Sequence, residues 1–155
     1  MPVLSPREVA AANAESFRQA RAEALAEGRR EGDLENRDFV SEEVEYTAPG
    51  GVNLRGAEQR SDYYRVWEDA FSDRTTVEDE VIVSGSTVVT ESTFTGRHTG
   101  VFRIRGLDHI PPTGKDVRVS LLSIQDVKRG RIVSIRWYFD RMEFLEQLGA
   151  TEYGT

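Results

Sequence analysis

The chain has 155 residues, 38% of them apolar and 30% charged, with a net charge of −7 from 20 basic and 27 acidic side chains. This composition predicts one soluble globular domain over residues 1–155, with a helical region over 1–40, and argues against nucleic acid or an anionic membrane as the main partner. There is no cysteine and there are only two histidines, so thiol catalysis, disulfides and thiolate metal sites are excluded and a dedicated metal site is not expected.

Ser5-Pro6-Arg7-Glu8 is a helix start: Ser5 caps, Pro6 suits the first turn and Glu8 completes a capping box. Alanine-rich sequence then runs to Glu27, with Gly28 or Gly32 as a stop and a thin apolar stripe of Val9, Phe17 and Leu25. A short helix is expected around Leu34 to Val40 and a short strand over Val44–Thr47, followed by the turn Pro49-Gly50-Gly51. A second helix is predicted over Ala57–Phe71, where Tyr63, Trp67, Ala70 and Phe71 recur at helical spacing.

From Thr75 onward the pattern turns to strands: Thr75–Val83, Thr87–Thr95, His98–Arg105, Val117–Val127 and Ile132–Asp140. Turn residues separate them at Ser84-Gly85-Ser86, Gly96, Pro111 to Gly114 and Lys128-Arg129-Gly130. A closing helix spans Arg141–Leu148 and ends at Gly149. Helices first and antiparallel strands after predict an α+β fold, with helices on one face of a curved sheet. No apolar run approaches the roughly 18 residues of a membrane span. The N-terminus lacks a secretory pattern, so a cytoplasmic location is expected.

The last strand carries the functional question. Val133, Ile135, Trp137 and Phe139 alternate with Ile132, Ser134, Arg136, Tyr138 and Asp140. The polar row either faces water or lines a pocket where an acid and a cation can move protons.

Four segments resemble the SnoaL-like polyketide cyclase family of the nuclear transport factor 2-like superfamily. They are Ala48 to Gly51 with Gly56 and the aromatic helix ending Ala70-Phe71-Ser72-Asp73; Phe94 to Gly100; Pro111 to Lys115; and Tyr138-Phe139-Asp140 followed by Leu145 to Ala150. The resemblance implies a cone-shaped, strongly curved sheet, closed by helices around a deep pocket, and a homodimer formed on the outer sheet face. It implies a cofactor-independent cyclase or isomerase that closes a ring in a hydrophobic or polyketide-like carbonyl compound by acid/base catalysis. Asp140 matches the catalytic acid position, and the resemblance places it in the pocket.

Asp126 on the neighbouring strand, with Arg136, completes an Asp–Arg–Asp set. Two close carboxylates split their pKa values, so the set could also serve an epoxide hydrolase or an epoxide-opening cyclase. An ordinary cross-strand salt bridge is the plain alternative. His98 is either a base or donor in the pocket, or a structural tie. Tyr46, Tyr64, Trp67 and Tyr138 would hold a flat substrate, and Glu91 is a further acid. A non-catalytic binding module is the reading outside enzymes. The region from Ala10 to Arg37 is longer and more charged than the family's first helix, as a lid, a dimer extension or a carrier contact.

Overall fold

The structure, a computed structural model, describes residues 3–27, 39–103 and 109–150, apart from the side chains of 17, 18, 20, 21, 24 and 25. Helix α1 spans Pro6–Ala26. Its capping box forms as the sequence predicts: the Ser5 N–H donates to the Glu8 carboxylate at 2.7 Å, and the Glu8 N–H donates to Ser5 Oγ at 3.2 Å. Val9 is its buried anchor. The helix expected around Leu34 lies largely outside the described residues; its end, Val40, instead begins strand β1, Val40–Ala48.

The Pro49-Gly50-Gly51 turn joins β1 to a strand the sequence did not suggest, β2, Val52–Arg55. Four residues are too few for alternation to show. Helix α2 follows at Gly56–Ala70, then β3 (Phe71–Ser84), β4 (Thr87–His98), β5 (Asp116–Lys128), β6 (Arg131–Tyr138) and helix α3 (Arg141–Gln147). The sheet order is β2-β1-β6-β5-β4-β3. All pairs are antiparallel except β1 with β6, which run parallel, so the sheet is mixed.

The predicted break at Gly96 is absent. Gly96 lies inside β4, where a Cβ would meet Phe71 and Phe94 at 3.4 Å, so the glycine admits aromatic packing rather than a turn. The separate strand expected over His98–Arg105 is corrected accordingly: His98 ends β4, and Phe102 forms only an isolated bridge with Ile110. Tight hairpins close the long strands. Arg129 and Gly130 both take positive φ in the two-residue β5–β6 loop, the signature of a type I′ turn.

Register shifts leave extra residues in β1, β3 and β6. An extra residue bends a strand and increases its twist, which curves the sheet. Helices α1 and α2 pack on its concave side. One core cluster gathers Phe71, Phe102, Phe144 and Leu145; the other gathers Val44, Tyr46, Val88, Ile132 and Ile135. Between them the concave face remains open.

Candidate functional site

Strand alternation decides what faces that opening. Cross-strand partners share a face, so Thr90 opposite Ser123 and Ser123 opposite Trp137 form one continuous wall. The wall extends along β4 as Thr90, Ser92 and Phe94, along β5 as Val119, Leu121, Ser123 and Gln125, and along β6 as Ile135 and Trp137, with Phe139 just beyond the strand. It is apolar at one end and carries small polar groups at the other.

Two chambers share this wall. The apolar chamber, about 180 Å³, lies under α2 between Tyr63, Trp67, Phe94 and Phe139. The polar chamber, about 640 Å³, lies between the sheet and α1, whose Ala10, Ala11 and Ala14 keep the roof low in bulk. Tyr64, Arg74, Thr76 and Trp137 border both chambers. Together they suit a ligand with a flat apolar body and a polar end.

Three tyrosines cluster on the apolar chamber, and Tyr64 among them also borders the polar one. The Tyr46 ring lies 5.6 Å from Tyr63 and 6.2 Å from Tyr64. Burial, reinforced by its tyrosine neighbours, pushes the Tyr46 hydroxyl well above its ordinary pKa. Burial raises Tyr63 as well, against an opposing hydrogen bond from Trp67. Both phenols therefore stay protonated and act as donors. Arg60, on the first turns of α2, is only 6% exposed, and its guanidinium lies over the Tyr64 ring at 5.8 Å. The i, i+4 spacing of the two residues on the helix accounts for this stacking.

Of the residues expected at the site, Tyr46, Tyr64 and Trp67 line the chambers. The structure corrects the placement of the others, because the face of β6 that lines the cavity is the apolar one. Arg136 and Tyr138 stand exposed on the outer face. Asp126 lies there too, accepting hydrogen bonds from Thr87 Oγ1 at 2.9 Å and Ser134 Oγ at 2.8 Å. Those bonds lower its pKa, with a smaller contribution from the charge of Arg136. Asp140 leaves the strand to cap α3, accepting the Glu143 N–H at 3.0 Å, and is exposed.

The Asp–Arg–Asp set is therefore not assembled around the cavity. Glu91 is exposed on the outer face, opposite Glu80 and Leu122. His98 is fully buried but lines neither chamber. Its Nδ1 accepts the Thr113 N–H at 3.2 Å, its ring packs on Phe71, and burial lowers its pKa. It ties the loop after β4 to the core. His109 is an exposed loop residue within 3.1 Å of Arg103.

Sequence reasoning missed Arg60, Arg74, Ser92, Ser123, Gln125 and Trp137. The available signal was the run Val119, Leu121, Ser123, Gln125: one strand face that turns from apolar to polar partway along. Glu78 is the sole carboxylate among the described residues that line the two chambers. Among the described residues no three acidic or histidine side chains cluster as metal ligands, and no helix is long and apolar enough to cross a membrane.

The fold is shared with known structures. A candidate SnoaL-like polyketide cyclase from Jannaschia sp. CCS1 superposes with a TM-score of 0.65 at 22% identity, over 74% of this chain and 76% of its own. TsrD from Streptomyces laurentii gives 0.63 at 28% identity, over 87% and 96%. IdmH from Streptomyces antibioticus, a candidate polyketide cyclase, gives 0.62 at 24% identity, over 87% and 97%. No protein with curated function matches the chain. The family model for SnoaL-like polyketide cyclases matches residues 19–148, which include every described strand and the whole cavity wall, and the chain belongs to that family.

Proposed function

We propose that the protein is a cyclase or isomerase that folds a polyketide-like carbonyl compound inside the two-chamber cavity and closes a ring within it. The observation that carries this reading is the tyrosine cluster: Tyr46 lines the apolar chamber beside Tyr64, which borders both chambers, and burial keeps Tyr46 protonated. The aromatic chamber holds the apolar body and brings the two reacting carbons together, which removes the entropic part of the barrier. A carbon between two carbonyls loses its proton, and the resulting enolate attacks a second carbonyl. Neutral phenols donate hydrogen bonds to the oxyanion as it forms, and the proton taken from carbon is passed back to it, leaving the phenols neutral. Glu78 is the carboxylate available to take the carbon-bound proton.

In this scheme Asp126 and Asp140 have no part in the chemistry, which separates it from epoxide opening, where two carboxylates must reach the substrate. Incubation with linear poly-β-ketones followed by mass spectrometry tests it. An isomeric or dehydrated cyclic product is expected from wild type and from the Asp126→Asn/Asp140→Asn double variant. Tyr46→Phe should lower turnover by about a hundredfold, the scale of losing one oxyanion donor. Tight binding of the ketone without turnover would instead assign a binding module. The homodimer implied by the family resemblance would use the outer sheet face, where Val77, Ile82 and Tyr138 stand exposed. A monomeric mass by light scattering at micromolar concentration would remove that assignment.

A further inference from the structure

We infer that the ligand of this cavity is a free carboxylic acid whose carboxylate is held by Arg60 in the polar chamber. The inference deepens the cyclase reading and rests on its premise that the cavity takes an elongated, largely apolar small molecule.

Arginine does not shed its proton in a protein, so Arg60 carries a full charge wherever it sits. Here it sits at 6% exposure. A buried charge is costly unless an opposite charge and hydrogen bonds compensate it. Among the described residues no carboxylate lies within ion-pair distance of Arg60; its neighbours are the face of Tyr64 and the phenol of Tyr46. A ring face compensates a cation only in part. Arg60 lines the polar chamber, and a carboxylate there would match its guanidinium fork with two parallel bonds.

A second observation, on different residues, points to the same chamber. Ser123 Oγ, Gln125 Oε1 and Trp137 Nε1 are buried polar atoms without a hydrogen-bond partner, and all three belong to the shared wall. Buried polar groups are nearly always satisfied, so three unsatisfied atoms along one wall show that this end of the cavity is polar in character, while each has under 1 Å² of accessible surface and none is itself a ligand contact. The chamber's charge agrees. Arg7, Arg60 and Arg74 line it against the single carboxylate of Glu78, in a chain whose net charge is −7. An excess of positive charge inside an acidic protein attracts a small anion while the exterior repels it. The apolar chamber lies beyond Tyr64 and Trp137, so an anion on Arg60 directs the hydrophobic body toward Trp67 and Phe139. A substrate still joined to a carrier as a thioester, or capped as a methyl ester, would leave Arg60 without its counter-charge.

The test uses the full chain and two matched probes, 4-phenylbutanoate and its neutral amide. Trp67 and Trp137 are the chain's two tryptophans and both border the cavity, so their fluorescence reports occupancy. Wild type should bind the acid about tenfold or more tightly than the amide, the scale of one well-formed charge-assisted pair. Added salt should narrow the difference. Arg60→Gln should abolish it, and Arg60→Lys should restore part of it. The acid–amide comparison on wild type stands without any variant, should Arg60→Gln fold poorly. Equal binding of acid and amide overturns the carboxylate inference and leaves the cyclase cavity intact. Silence with both probes overturns the cavity reading and the inference together.

Discussion

Replacing Ser123 with alanine should make the protein more stable. Ser123 is 1% exposed, in the middle of β5 between Thr90 and Trp137, and its hydroxyl oxygen has no partner and under 1 Å² of accessible surface. An orphaned hydroxyl that water cannot reach carries a desolvation penalty of about 1–3 kcal/mol. Alanine removes the penalty and keeps the methylene. The few contacts made by the lost oxygen are worth about 0.1–0.2 kcal/mol each. The net expectation is a gain of about 1–2 kcal/mol. For a domain of this size each kcal/mol moves the melting midpoint by about 2–4 °C, so Tm should rise by about 2–8 °C.

The assay is thermal unfolding of the ligand-free protein, followed by circular dichroism. A fall in Tm for the free variant would refute the reasoning. It would mean that the hydroxyl is satisfied, and that the wall is not stabilised by removing a polar group.

The remaining expectations concern folding and pH. In Gly100→Ala the new Cβ would stand 1.8 Å from the Asp69 carbonyl oxygen, so backbone must move and the hydrogen bonds from Thr99 and Gly100 to the Ala70 carbonyl, at 3.0 and 3.1 Å, are lost. Two such bonds plus the strain are worth about 3 kcal/mol, and a Tm within experimental error of wild type would contradict that placement. Asp140→Ala should cost about 1 kcal/mol through loss of the α3 cap, and Asp140→Asn almost nothing, as urea titration can show. Asp126 has a folded pKa depressed by Ser134 and Thr87, so its stabilisation is complete above the unfolded value of 3.8 and is lost as pH falls through the folded value. Asp126→Asn should therefore flatten the acid limb of the stability profile below pH 3.8. His98 has a folded pKa lowered by burial, so the unfolded chain takes up its proton first and stability should decline as pH falls through 6.5. His98→Gln should remove that part of the slope.

Local chemistry was legible in the chain. Ser5 and Glu8 specify a capping box, Lys128-Arg129-Gly130 a turn, and Gly149 a helix stop, because each depends on atoms a few residues apart. The four family segments carried the fold class, and periodicity divided β6 correctly from Ser134 onward; before that the extra residue Val133 breaks the alternation, and Ile132, expected on the polar row, is buried in one core cluster with Ile135. Which row lines the cavity was not in the strand. A period of two makes two faces and leaves the choice to whatever covers the sheet.

Helices α1 and α2 cover the face with Ile135 and Trp137, so Arg136, Tyr138 and Asp126 stay outside and Asp140 turns away into a cap. The parallel pairing of β1 with β6 joins residues some ninety positions apart, such as Tyr46 with Ile135, and no local pattern encodes it. Arg60 shows the same division. In the sequence it is one more arginine on a charged helix; only the packing of α2 over the sheet, with Tyr64 beneath the guanidinium, turns it into a buried cation at the wall of a cavity. Short-range hydrogen bonds and dihedral preferences are written residue by residue, whereas burial is a property of the layers that meet, and here it decided which groups the site contains.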